Sequence, residues 1–202
     1  MYLPSYFRVE EPALLHELMR QFGFATLVSV HEGLPFATHL PFVLDAEHSR
    51  LEAHMARANP QWSSLEANPE VLVIFQGDHS YISPTWYEKH PSVPTWNYVT
   101  VHAYGKARLV EEPQAVKALL HRLVQQYERV WDMDTLPPSY LEGMIRGIVA
   151  FEIEITRLEG KFKLSQNRPA TDRRRVAEAL SHSPNPAEQG IARRMLADLE
   201  ER

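Results

Sequence analysis

The stretch FATLVSVHEGLPFATHLPFVL, residues 24–44, reads as a β-hairpin. Phe24–Val30 and Phe36–Leu44 are rich in β-branched and aromatic residues, and His31-Glu32-Gly33-Leu34-Pro35 between them has the composition of a turn. Upstream, Leu14, Leu15, Leu18, Met19 and Phe22 recur at helical spacing from Ala13 to Phe22, and Gly23 stops the run. Downstream, Leu51–Met55 is a third short strand, and Asn59-Pro60 opens a helix over Gln61–Ala67 that Asn68-Pro69 ends.

The pattern continues in short strands. Val71–Phe75 is a continuous apolar run and predicts a strand buried on both faces. Gly77 to Pro94 reads as irregular. Tyr98–Gly105 alternates, with Val99, Val101 and Ala103 on one face. Val116–Trp131 carries a wide apolar stripe and predicts a helix, with a shorter one to about Gly147. Phe151, Ile153 and Ile155 alternate with polar residues as in a half-exposed strand. The polar, arginine-rich end predicts helices over Asp172–Leu180 and Pro186–Glu200, the second opened by Asn185, Pro186 and Glu188. About six strands interrupted by helices fit a small antiparallel barrel better than alternating βαβ units. The expected fold is therefore mainly β (α+β), with residues 1–168 as one domain and 169–202 as a helical extension.

Composition removes several functional classes. The 202 residues include no cysteine, which excludes disulfides, thiol catalysis and cysteine-based metal centres. The formal net charge of −5 gives no global attraction to nucleic acid or anionic membrane. Met1-Tyr2-Leu3-Pro4 has no basic or apolar leader character, and apolar runs stay far below the ~20 residues that span a bilayer. A soluble cytoplasmic protein without membrane contact is expected. The eight glycines form no phosphate-cradling loop, and no G-x-S-x-G elbow occurs. Ten histidines raise metal binding, but His39, His54, His79 and His102 show no compact ligand spacing, so no metal site is expected.

Three segments concentrate ligand-type chemistry. Thr38-His39-Leu40-Pro41 places a hydroxyl and an imidazole beside a proline that leaves strand backbone open, a pattern that an ordinary edge strand also uses. In His54-Met55-Ala56-Arg57-Ala58-Asn59-Pro60 a strand gives way to a helix, so Arg57 and free N–H groups can hold a phosphate; a solvated loop arginine reads equally well. Gly77–Tyr87 and Val93–Tyr98 pack aromatic and hydrogen-bonding side chains, suited to a flat ligand or to loop packing.

These blocks carry a resemblance. THLP at 38–41, HMARANP at 54–60, GDHSYISPTWY at 77–87, VPTWNY at 93–98 and KLSQNR at 163–168, with the opening Met1–Pro4 and Phe7, resemble the signature segments of the PaiB family of FMN-binding negative transcriptional regulators, over roughly residues 1–168. The resemblance implies a six-stranded antiparallel FMN-binding split barrel with peripheral helices and a helical C-terminal tail. It also implies a homodimer with FMN at the subunit interface. Thr38, His39 and Leu40 would lie along the flavin edge, and His54, Ala56, Arg57 and Asn59 near the ribityl phosphate. Trp96, Asn97 and Gln166 would close the site. No catalytic residue is implied.

Two further functions fit the same barrel, a flavin-dependent oxidoreductase and a haem-binding or haem-degrading protein. DNA is weakly supported as a partner. From Arg168 onward seven arginines face six acidic residues, a net of about +1, too little for a phosphate-tracking tail.

Overall fold

The computed structural model describes residues 1–88 and 90–200. In chain order the elements are β1 (Arg8–Val9), α1 (Pro12–Gln21), β2 (Phe24–His31), β3 (Leu34–Pro41), β4 (Val43–Asp45), β5 (Arg50–Ala56), α2 (Gln61–Ala67), β6 (Glu70–Ile82), β7 (Thr95–Val110), α3 (Pro113–Tyr127), α4 (Pro138–Arg146), β8 (Ile148–Lys163), α5 (Ala170–Ser181) and α6 (Pro186–Glu200). The architecture is a mainly antiparallel sheet with helices. Strand order is β3-β2-β6-β7-β8-β5-β4, with β1 paired to β8. Among the described residues the sheet has eight strands and does not close on itself, which corrects the expectation of six. Of the two extra strands, β1 is two residues long, too short to leave a periodic signal, and β4 is the end of the expected Phe36–Leu44 strand, separated where that strand breaks at Phe42.

The hairpin forms as expected, but its turn is tighter. Glu32 (φ 52°) and Gly33 (φ 80°) both adopt left-handed conformations, and His31 pairs with Leu34. Two consecutive positive φ values match the twist of the flanking strands, so Leu34 and Pro35 join β3. The second strand breaks at Phe42. Its N–H donates to the Gly23 carbonyl at 2.8 Å, and its ring meets Phe75 and Phe151 edge-on at 6.1 and 6.3 Å.

Three other expectations are corrected. β6 buries Val71, Val73 and Phe75 but only half-buries Leu72 and Ile74, so it is not covered on both faces. The same strand runs on to Ile82 through residues expected to be irregular. There Ser80 and Ile82 point inward while His79 and Tyr81 point outward, a period of two hidden by polar side chains. α3 stops at Tyr127, and Val130 and Trp131 lie outside it, exposed.

The chain divides into two compact units, and β6, β7 and β8 contribute residues to each. One unit combines Met19–Phe75 with His102–Leu158. Its core contains the Phe42, Phe75 and Phe151 rings with Leu27, Leu51, Met55 and Ile153. α3 covers β4 and β5 with Val116, Leu119 and Leu123 turned inward. Glu52, buried beneath it, accepts two hydrogen bonds from Arg122 at 2.6 and 2.9 Å.

The other unit combines Met1–Leu18, Gln76–Val101 and the chain from Glu159 onward. α5 and α6 pack together through Val176, Ala177 and Leu180 and through Ile191, Ala192 and Met195, all buried. Gly190 on α6 admits the Asp78 side chain so closely that a Cβ there would sit 2.2 Å from its Oδ2. No helix among the described residues is long and apolar enough to cross a membrane.

Candidate functional site

In the first unit the structure brings two of the three segments together. β3 is a terminal strand of the sheet path, bonded to β2 with Thr38 opposite Leu27, His39 opposite Thr26 and Leu40 opposite Ala25. It also lies against β5, which ends at His54-Met55-Ala56. Asn59 ties the corner. Its Nδ2 donates to Thr38 Oγ1 at 2.9 Å, and its Oδ1 accepts from the Gln61 N–H at 3.0 Å.

Each side chain there has a distinct environment. His39 is exposed and its ring stacks on Phe24 at 6.4 Å. Leu40 is buried and gives the corner an apolar floor, while Ala56 is exposed at the strand end. His54 is half-buried, and its Nδ1 is buried without a hydrogen-bond partner. Burial lowers its pKa, since a desolvated imidazolium is disfavoured, so the ring is neutral at pH 7.

Arg57 is anchored more firmly than the sequence implied. Its Nε donates to the Arg146 carbonyl at 2.9 Å and its Nη2 to the Ile148 carbonyl at 2.7 Å. Neither of these bonds uses Nη1. Gln61 was missed by sequence reasoning. Fully buried, its Nε2 donates to Ser29 Oγ at 2.9 Å and to the Phe36 carbonyl at 3.2 Å, so it fastens α2 to the β2–β3 hairpin. A polar residue in the first turn of a short helix carries no sequence signal of such burial.

Trp96, Asn97 and Gln166 belong to the other unit. Trp96 is exposed and forms an aromatic group with His79 (6.3 Å) and Tyr81 (6.0 Å, edge-on). Asn97 is fully buried, donates to Ser165 Oγ at 3.0 Å and meets Met195 Sδ. Gln166 is bound within its own turn, accepting from the Leu164 N–H and donating to the Phe162 carbonyl, both at 2.7 Å. Among the described residues the only group with metal-ligand convergence is His121, Asp132 and Asp134. The Lys117 ammonium, 2.6 Å from Asp134, already supplies a cation there.

Residues 1–157 match the family model FMN_bind_2, described as "Putative FMN-binding domain". The chain belongs to this family, and its cofactor is FMN. Within the family it is 40% identical to the "Protease synthase and sporulation protein PAI 2" of Bacillus subtilis strain 168, over 96% of each chain. It is thus a PaiB-type member. Solved structures share the fold at low identity. The flavocytochrome Anf3 of Azotobacter vinelandii superposes with a TM-score of 0.66 at 16% identity, over 79% of this chain and 72% of the other. An FAD- and haem-binding protein of Mycobacterium smegmatis gives 0.55 at 14% identity, over 77% and 73%.

Proposed function

We propose that this chain is a PaiB-like negative transcriptional regulator that carries FMN on a split β-barrel, at the interface of a cytoplasmic homodimer. The observation that carries the site assignment is the corner at Thr38–Leu40 and His54–Asn59, where a neutral imidazole keeps a buried nitrogen without a protein partner. A hydrogen-bonding ligand would satisfy this buried nitrogen. The same two segments carry the Thr38 hydroxyl, the exposed His39 ring, the apolar Leu40 side chain and the Arg57 guanidinium. These match a ring edge, an apolar face and an anionic tail. Bound FMN supplies one- and two-electron redox chemistry.

In this reading Thr38 and His39 orient the flavin edge, Leu40 excludes water from one side, and His54, Ala56, Arg57 and Asn59 receive the ribityl phosphate end. Trp96, with Tyr81 and His79, is an exposed aromatic surface suited to close over a ring from a partner subunit. Asn97 and Gln166 act by holding the turn after β8. The helical extension from residue 169 adds little DNA-binding character. Arg173, the first of three consecutive arginines, is buried and pairs with Asp198, leaving Arg174 and Arg175 exposed.

A flavin-dependent oxidoreductase is the second reading, favoured by the fold shared with redox proteins. Anaerobic mixing of the FMN-loaded protein with NADH or NADPH separates the two. The regulator keeps its flavin oxidised, whereas rapid bleaching of the visible band makes the chain a reductase. Light scattering on the same sample tests the dimer.

A further inference from the structure

We infer that the unit containing Gln76–Val101 and the chain from Glu159 onward carries a second ligand site, a subsite for a small organic anion whose carboxylate or phosphate head is held by Lys163 and Arg168. It goes beyond the flavin reading and does not depend on it.

A cavity of about 300 Å³ lies in this unit, walled by Tyr6, Phe7 and Tyr87 and lined by Thr95, Lys163 and Arg168. Among the described residues no acidic side chain lines it. Lys163 Nζ donates to Thr95 Oγ1 at 2.7 Å and to the Trp96 carbonyl, both neutral acceptors. Arg168 lies over the Tyr87 ring, 4.4 Å from its centroid, and donates to Ser92 Oγ at 3.3 Å. Among the described residues neither cation pairs with a carboxylate. Lys161 nearby is buried and donates to the Tyr2 carbonyl, again a neutral group. Elsewhere in this acidic chain Arg50 and Arg108 on the sheet reach Glu152, and Arg122 on α3 reaches Glu52. Two cations without a carboxylate partner thus line one cavity, and a bound anion would offset their uncompensated charge.

The pKa of Lys163 is correspondingly lowered, by burial first and by Lys161 second. The turn presenting Arg168 is firmly built. Ser165 sits at φ 62°, a left-handed conformation held by its hydrogen bonds with Asn97, and the Arg168 N–H donates to the Ser165 carbonyl at 2.9 Å. The volume is at the lower end of the roughly 300–1,000 Å³ of small-molecule sites, so it fits one ring or a short acid with an anionic head.

Benzoate and phenyl phosphate serve as probes, with benzyl alcohol as the uncharged control, in calorimetric titrations of the full chain. The wild type binds at least one anion saturably and the alcohol not at all. Benzoate alone marks a carboxylate site, and phenyl phosphate alone marks a phosphate monoester site. Arg168→Gln and Lys163→Gln each weaken binding about tenfold or more, the loss of one charge-assisted contact. Lys163→Arg retains binding, which separates lost charge from lost folding, and Lys106→Gln leaves it unchanged. Affinity falls as pH rises through the lowered Lys163 pKa. The inference is overturned if neither anion binds, if the alcohol binds equally well, or if the Arg168→Gln and Lys163→Gln proteins fold and bind like the wild type.

Discussion

The Arg57 guanidinium holds the end of α4, its Nε 2.9 Å from the carbonyl oxygen of Arg146. With Nη2 on the Ile148 carbonyl, it caps the negative end of the helix. Arg57→Gln should therefore have two separable effects. Amide exchange in 138–148 should accelerate, because the carbonyl anchor is lost. FMN affinity should fall only modestly, because Nε and Nη2 are already bonded within the protein. Hydrogen exchange and flavin titration on one preparation check both; a large affinity loss with unchanged exchange would show that the guanidinium serves the cofactor rather than the helix.

Gly190 is required by the close approach of Asp78. Gly190→Ala would put a methyl carbon 2.2 Å from Asp78 Oδ2 in a buried setting, and should destabilise the protein by about 1–3 kcal/mol. Adding Asp78→Ala should return part of that loss, since it removes the obstructing carboxylate. Urea unfolding of the two single variants and the double variant measures the coupling.

Glu52 is 2% exposed and accepts both Arg122 hydrogen bonds, with Arg50 at 3.3 Å. Glu52→Ala should cost about 2 kcal/mol, the value of charge-assisted hydrogen bonds at a buried acceptor. Arg122→Ala should cost at least as much, because it leaves the buried Glu52 carboxylate with Arg50 alone to compensate it. Thermal unfolding of both variants tests the order.

Protonation of His54 links stability to pH. Burial lowers its folded-state pKa below the ordinary 6.5, so in acid the unfolded chain takes up a proton that the folded chain refuses. Stability should fall as pH drops below about 6.5, and the decline should continue until the lowered folded pKa is passed. His54→Gln should flatten that part of the profile. Chemical denaturation between pH 5 and 8 records it.

Local signals made much of the fold legible. The bounds of α2 follow from Asn59-Pro60 and Asn68-Pro69, and α6 begins at the Pro186 that follows its capping Asn185. The β2–β3 hairpin was readable from composition. The extension of β6 was not, because Gln76, Asp78 and His79 look like loop residues until pairing imposes a period of two on them. Distant contacts were also hidden. Thr38 and Asn59 could be named separately, but nothing local shows that one hydrogen bond joins them across 21 positions. The anchoring of Arg57 to Arg146 spans 89 positions, and the burial of Gln61 arises only when α2 meets the hairpin. Asn97 carries the residue type of a ligand contact, yet its amide is used inside the unit.

The most direct test of the account is titration of the apoprotein with FMN, followed at ~450 nm where oxidised flavin absorbs, in the wild type and in Asn59→Ala and His54→Ala. The account predicts saturable binding by the wild type and weaker binding by both variants, with the folded state retained. Wild-type protein that shows no saturable FMN binding, or variants that bind as tightly as the wild type, would contradict the placement of the cofactor at the β3–β5 corner.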